Sequence, residues 1–283
     1  MILDYIENIV KEEENKGSNP LYIRSIIKEY LQIILLEFIY TNNKFKSNFI
    51  FTGGTCLRHF YGIDRLSEDL DFDYLKFINS KKIAQEISDY FIGSLKYPNL
   101  EISIKQNGKQ ILLKFPILRK LELAGPNDSE MLYIKIDQTP AIGSSYKTAK
   151  TSKNAFGYNF VAFHYNLSSL FAGKISAILT RNLLTGQDNK QTIKGRDFYD
   201  LLWYLKNNVG INLDMLKERL DVDRLNIEEV RKLIDDKVNL ACTKYKQDFE
   251  RDLIPFISNQ NFITDYVDNY LDEYKRHKIT IDE

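Results

Sequence analysis

The sequence has little that would cross-link it, interrupt it or bias its charge. Two cysteines, Cys56 and Cys242, in 283 residues cannot supply a disulfide framework and fit a reducing compartment. Six prolines and 13 glycines leave little material for linkers or low-complexity stretches. An excess of one charge is also missing. The 39 basic and 39 acidic residues cancel, which argues against coating nucleic acid through overall charge, although a local basic surface could still bind phosphates. The longest apolar run, Leu31 to Tyr40, is broken by Gln32 and Glu37 and is too short to span a bilayer. Asp4, Glu7, Lys11 and Glu12 stand among the first apolar residues, unlike a secretory signal. The expectation is a soluble, cytoplasmic protein without a membrane partner. The histidines His59, His164 and His277 show no zinc-ligand spacing with the cysteines. No P-loop, dinucleotide-binding glycine pattern or Gly-x-Ser-x-Gly elbow occurs.

Hydrophobic residues at 43% and aromatics at 13% can build a core for one large domain or two small ones. Leu21 to Tyr40 has apolar residues at helical spacing and predicts a long amphipathic helix. A strand over 48–52 runs into Gly53-Gly54, a short helix follows over 55–61, and Asp69-Leu-Asp71-Phe-Asp73 alternates as a strand does. A helix over 81–95 precedes strands at 100–105, 110–116 and 131–137, the first two joined through Gln-Asn-Gly as a hairpin. The polar stretch 139–160 reads as a boundary. Beyond it, periodicity predicts helices at 167–184, 195–207, 212–219, 226–243 and 259–275. The predicted class is α+β, a mixed-sheet domain with flanking helices over 1–150 followed by a helical domain over 151–283.

Chemistry concentrates in Phe51 to Phe72. Two glycines after a strand let backbone approach a ligand, and the helix behind them offers free N–H groups to a phosphate. The bland alternative is an ordinary turn. Asp69 and Asp71 project from one face of a strand with Leu70 opposite. Such a pair repels unless a divalent cation lies between its members; the competing reading is a solvated acidic face. Asp137 ends the strand from Leu132, and an adjacent strand would set it beside the pair. Three carboxylates can hold two Mg²⁺ ions, an arrangement suited to phosphoryl chemistry. Arg58 and Arg65 could grip a triphosphate, lie at the surface, or pair with Asp64 or Glu68.

Later in the chain, Lys174 shares a helical face with Leu167, Leu170, Phe171 and Ile178, so it needs a negative partner or snorkels to the edge. Arg181 lies two turns further on. Asp197 and Asp200 lie on one flank of the next helix, where dipole compensation is the plainer reading. Two basic stretches stand out, Lys147-Lys150-Lys153 and Lys190-Lys194-Arg196; solvated loops would look the same.

Together, Gly53-Gly-Thr-x-Leu-Arg58, Arg65-x-Ser67-x-Asp69-Leu-Asp71-Phe72, Lys174 and Arg196-Asp197-x-x-Asp200-Leu201 resemble the AbiEii/AbiGii toxin family of the DNA polymerase β-like nucleotidyltransferases. The resemblance covers roughly residues 20–207. It implies a nucleotidyltransferase fold in which Asp69 and Asp71 bind catalytic Mg²⁺ or Mn²⁺. It implies that Gly53, Gly54 and Thr55 hold an NTP, with Arg58, Arg65 and Ser67 alongside, and that Lys174 and Asp197 complete the site. It also implies a toxin of a toxin–antitoxin or phage-defence system that transfers NMP to RNA, such as the 3′ end of tRNA. The antitoxin is encoded alongside and need not bind directly. A groove edged by Lys147, Lys150, Lys153, Lys190 and Lys194 is expected to take the RNA. Two other readings stay open: a transferase acting on a small molecule or protein side chain, and a non-catalytic RNA- or partner-binding module.

Overall fold

A computed structural model describes residues 2–181, 183–185 and 190–282; of 183–185, 190 and 191 it describes the backbone alone. The chain divides into two compact units, Met1–Ala141 with Lys150–His164, and Ile142–Ala149 with Tyr165–Glu283.

In the first unit, helix α1 (Ile2–Asn15) precedes α2 (Pro20–Thr41). Asn19 caps α2 by accepting from the Tyr22 N–H at 3.0 Å, and Pro20 supplies a preset φ at the first turn. Ile27, Leu31, Ile34 and Leu35 are fully buried, so α2 is a core helix rather than a one-sided one. Strand β1 (Phe49–Thr52) runs into α3 (Gly53–Tyr61), then β2 (Asp69–Tyr74) and α4 (Ser80–Gly93). Next come β3 (Glu101–Lys105), β4 (Gln110–Pro116) and β5 (Met131–Pro140), with β3 and β4 joined through Gln106–Gly108 as an antiparallel pair.

Strands β6 (Thr148–Ala155) and β7 (Tyr158–Tyr165) complete a seven-stranded sheet in the order β3-β4-β5-β2-β1-β7-β6. The sheet is mixed. β2 runs antiparallel to β1 and parallel to β5, while β1 runs parallel to β7. The stretch 139–160, read from sequence as a boundary, therefore contains all of β6 and the start of β7. β6 is an edge strand of Thr, Lys, Ser and Asn with mostly exposed positions, a composition that alternation does not flag. β7 buries Phe160, Ala162 and His164 and owes its place to tertiary pairing.

The second unit is helical. It contains α5 (Leu167–Thr180), a small hairpin of β8 (Leu183–Thr185) and β9 (Lys190–Thr192), α6 (Gly195–Lys206) and α7 (Leu213–Leu220). Helices α8 (Ile227–Cys242), α9 (Lys246–Leu253) and α10 (Gln260–Tyr274) follow. The helix expected over 167–184 ends at Thr180. Asn166, Asn212, Asn226 and Asn259 accept backbone N–H groups at the starts of α5, α7, α8 and α10, each satisfying a donor that the helix leaves unpaired.

Candidate active site

The turn after β1 is fitted to β2 residue by residue. Thr52 pairs with Asp71 across the strands, and Gly53 then takes a φ of +78°, which a side chain disfavours. A Cβ on Gly53 would also stand 2.1 Å from Asp71 Oδ2, so the carboxylate rests directly on the glycine. Gly54 makes the same room for Arg65, whose Nη2 would lie 2.5 Å from an added Cβ. The buried Thr55 hydroxyl lies 2.8 Å from Ser67 Oγ and donates to the Asp69 carbonyl. Gln32 Nε2 anchors the Ser67 carbonyl at 3.0 Å. Gly-Gly-Thr and Arg-x-Ser-x-Asp-x-Asp are thus two halves of one packing unit.

This placement gives four expected nucleotide contacts another task. Arg65 is 2% exposed, and its Nη1 donates to the Leu66 carbonyl at 2.9 Å. In place of a reach toward a triphosphate, its guanidinium forms a strut beneath Gly54. Thr55 and Ser67 spend their hydroxyls on the turn itself. Arg58 Nε donates to Glu29 Oε1 at 2.6 Å and Nη1 to the Ile63 carbonyl at 3.0 Å, which is neither of the pairings expected. What the segment leaves toward a ligand is backbone: Thr52 makes no side-chain cap bond to α3, so the N–H groups of its first turn are not taken by a cap.

Asp69 and Asp71 share one face of β2, partly exposed, with Leu70 and Phe72 buried opposite. Lys135 Nζ lies 3.6 Å from Asp69 Oδ1. Asp137 is the register partner of Asp71 on β5, as expected of an adjacent strand. A three-carboxylate metal cluster is nevertheless not formed. Among the described residues no three His, Cys, Asp or Glu side chains are grouped to hold a metal ion. Asp137 Oδ1 is engaged by Gln110 Nε2 at 2.8 Å, the residue across from it on β4. Cys56 stays a thiol, because burial first and the Asp71 charge second push its pKa well above the usual value.

In the second unit, Lys174 finds its negative partners within the protein. Its Nζ lies 2.8 Å from Asp197 Oδ1 and 2.7 Å from Asp200 Oδ2, and Arg181 Nη1 contacts the other Asp197 oxygen. Asp197 is 5% exposed and Asp200 0%. Burial alone would raise the Asp197 pKa. The charges of Lys174 and Arg181 and the Lys174 hydrogen bond outweigh it and hold the carboxyl well below the usual range. The two aspartates at the start of α6 are therefore counter-ions of a buried lysine, beyond what dipole compensation requires.

Of the residues expected to edge an RNA groove, Lys147 pairs with Asp282 at 2.8 Å. Lys150 Nζ lies 6.0 Å from the Phe163 ring centre, and Lys153 Nζ donates to the His59 carbonyl at 2.9 Å. Arg196, which belongs to the second basic stretch and not to the expected groove, pairs with Asp252 at 3.3 Å and stacks on Phe256. The Lys190 side chain lies outside the described residues.

The sequence profile of the nucleotidyl transferase AbiEii toxins of type IV toxin–antitoxin systems matches residues 35–276, most of the chain and well past the segment that carries the motifs. This chain belongs to the AbiEii family. Among curated proteins none matches the sequence. Its fold is similar to that of MenT4, a nucleotidyltransferase toxin from Mycobacterium tuberculosis H37Rv, with a TM-score of 0.53 and 12% identity over 94% of this chain and 88% of that one. JHP933 from Helicobacter pylori aligns over 89% of this chain and 94% of that one at 16% identity, with a TM-score of 0.44. The mixed sheet with its flanking helices is the nucleotidyltransferase toxin fold, and the chain is a nucleotidyltransferase. Membership of the AbiEii family implies an NTP substrate and a cognate antitoxin, and the family generally uses divalent metal ions. No helix among the described residues is long and apolar enough to cross a membrane.

Proposed function

We propose that this AbiEii nucleotidyltransferase moves a nucleoside monophosphate from an NTP to the 3′ end of an RNA, with tRNA the target, and so arrests translation in the cytoplasm as part of a phage-defence system. One observation carries the reading: the Asp71 carboxylate rests on Gly53, which sets a carboxylate of the Asp69–Asp71 pair against the uncapped first turn of a helix. In the transfer, the acceptor's 3′ oxygen bonds to the α-phosphorus, the bond to the pyrophosphate oxygen breaks, pyrophosphate leaves, and the hydroxyl proton passes to solvent. The backbone N–H groups at Gly53–Thr55 are the proposed holders of the polyphosphate. Lys174 and Asp197 are the residues of the helical unit proposed to act in the reaction.

Two carboxylates on one strand face, without a third protein ligand, suit Mg²⁺ or Mn²⁺, ions commonly held by one or two carboxylates together with substrate phosphates. Asp69 and Asp71 would hold such an ion, which when bound neutralises charge on the phosphates. Asp69→Asn and Asp71→Asn keep shape and remove charge. Each should abolish transfer of label from α-³²P-NTP to total RNA, tested with each NTP in turn and with or without Mg²⁺, while melting stays cooperative. Undiminished transfer in either variant would refute the assignment. Label found only in protein or a small molecule would remove RNA as the acceptor.

A further inference from the structure

We propose that a cavity in the helical unit, between α5, the start of α6 and the α8–α9 junction, binds a ribonucleotide phosphate and lays the attached sugar against an apolar wall. The cavity has a volume of about 130 Å³. That is below the roughly 300 Å³ of a site enclosing a whole small molecule, so it takes one part of a longer ligand. Its charge is one-sided. Arg181, Lys194, Lys237 and Lys244 line it with a single carboxylate, Asp197. Lys174 and Asp200 stand behind and cancel each other, leaving a surplus of three positive charges (five cations less two anions) in a chain of zero net charge.

Asp197 is counted in that balance, and Lys174 and Arg181 engage it. Neither Lys237 nor Lys244 has an ion-pair partner among the described residues. Spaced at i, i+3 and i+7, Lys237, Leu240 and Lys244 fall on one side of α8 and its C-terminal end. Lys244 Nζ lies 5.0 Å from the Tyr245 ring centre, a cation–π contact that holds it near the wall. That wall is apolar: Ile178, Ile193 and Tyr245 line it, and Leu240 is 45% exposed there. Cations that outnumber the acids around one cavity repel one another unless an anion joins them, and a phosphate beside a sugar matches both the charged and the apolar side.

The role of the cavity rests on the transferase reading, in which the phosphate comes from either the NTP or the RNA acceptor; its test does not. Full-length protein would be titrated with mant-ATP and, separately, with a fluorescein-labelled single-stranded RNA. The double variant Lys237→Ala/Lys244→Ala should weaken one probe at least about tenfold and reduce its salt slope by about two. Loss of mant-ATP binding alone assigns the NTP, and loss of RNA binding alone assigns the acceptor. Lys232→Glu, on α8 but outside the cavity, should leave both affinities within twofold. The inference is overturned if the double variant binds both probes within twofold of wild type while remaining folded, or if Lys232→Glu weakens them equally. Should wild type fail to transfer label yet show the Lys237/Lys244 binding loss, the cavity stands and the transferase assignment falls.

Discussion

The contact between Gly53 and Asp71 can be isolated by comparing two glycines with nearly the same backbone. Gly53 has φ +78° and Gly62, at the end of α3, has φ +79°. An alanine at either position pays the left-handed penalty of roughly 1–2 kcal/mol. At Gly62 nothing lies within 4 Å of the added methyl, so that penalty is the whole cost. At Gly53 the methyl would stand 2.1 Å from Asp71 Oδ2, 2.9 Å from its Cγ and 3.1 Å from its Cβ. No rotation of the carboxylate alone clears all three, so the side chain and the strand must shift by about 1 Å or more, a displacement that can cost on the order of 10²-fold in rate. Gly62→Ala should therefore lower the melting temperature by a few degrees, at about 2–4 °C per kcal/mol, and retain transfer of label from α-³²P-NTP. Gly53→Ala should melt lower still and lose about two orders of magnitude in transfer. Gly53→Ala with more than a tenth of wild-type activity would show that the carboxylate need not rest on the turn, and the packing account of the motif would fail.

Two further outcomes follow from buried charge. Lys174→Ala leaves Asp197 and Asp200 without their shared cation, and breaking a buried pair from one side costs about 3–5 kcal/mol; a urea midpoint little changed from wild type would contradict the pairing at 2.8 and 2.7 Å. His59 has a pKa pushed down to about 3, by burial first and then by Lys153 and Arg58. The folded state keeps it neutral while the unfolded chain protonates it near 6.5, so its contribution to stability is complete above about pH 6.5 and is lost as pH falls toward 3, at about 1 kcal/mol per pH unit. His59→Leu should flatten the fall in melting temperature between pH 7 and 5, and parallel curves for variant and wild type would refute that.

How far the sequence reached depended on whether a residue's partner was near in the chain. The strand–glycine–helix–strand order and the placement of Asp69 and Asp71 on one strand face followed from period-two alternation and motif spacing, because local geometry fixes which way side chains point; Asp137 could be set beside Asp71 only on the condition that their strands pair, which they do. Lys174 was legible as a lysine on an apolar face in need of an anion. Six helix starts carry a signal that apolar periodicity passed over: Asn19, Asn79, Asn166, Asn212, Asn226 and Asn259 each cap a helix.

Partner choice was decided by the tertiary structure. Nothing local to Arg65 says that it will lie under Gly54, or that Gln110 will take the Asp137 oxygen expected at a metal, or that Asp197 and Asp200 will neutralise Lys174. Strand β6 and the cations of the helical cavity escaped for the same reason. An edge strand of Thr, Ser and Lys reads as loop until it has a neighbour to pair with, and Lys237 and Lys244 gain meaning only when folding brings them beside Arg181. Periodicity reports the direction a side chain takes from its own backbone; what it meets there is set by residues distant in the chain.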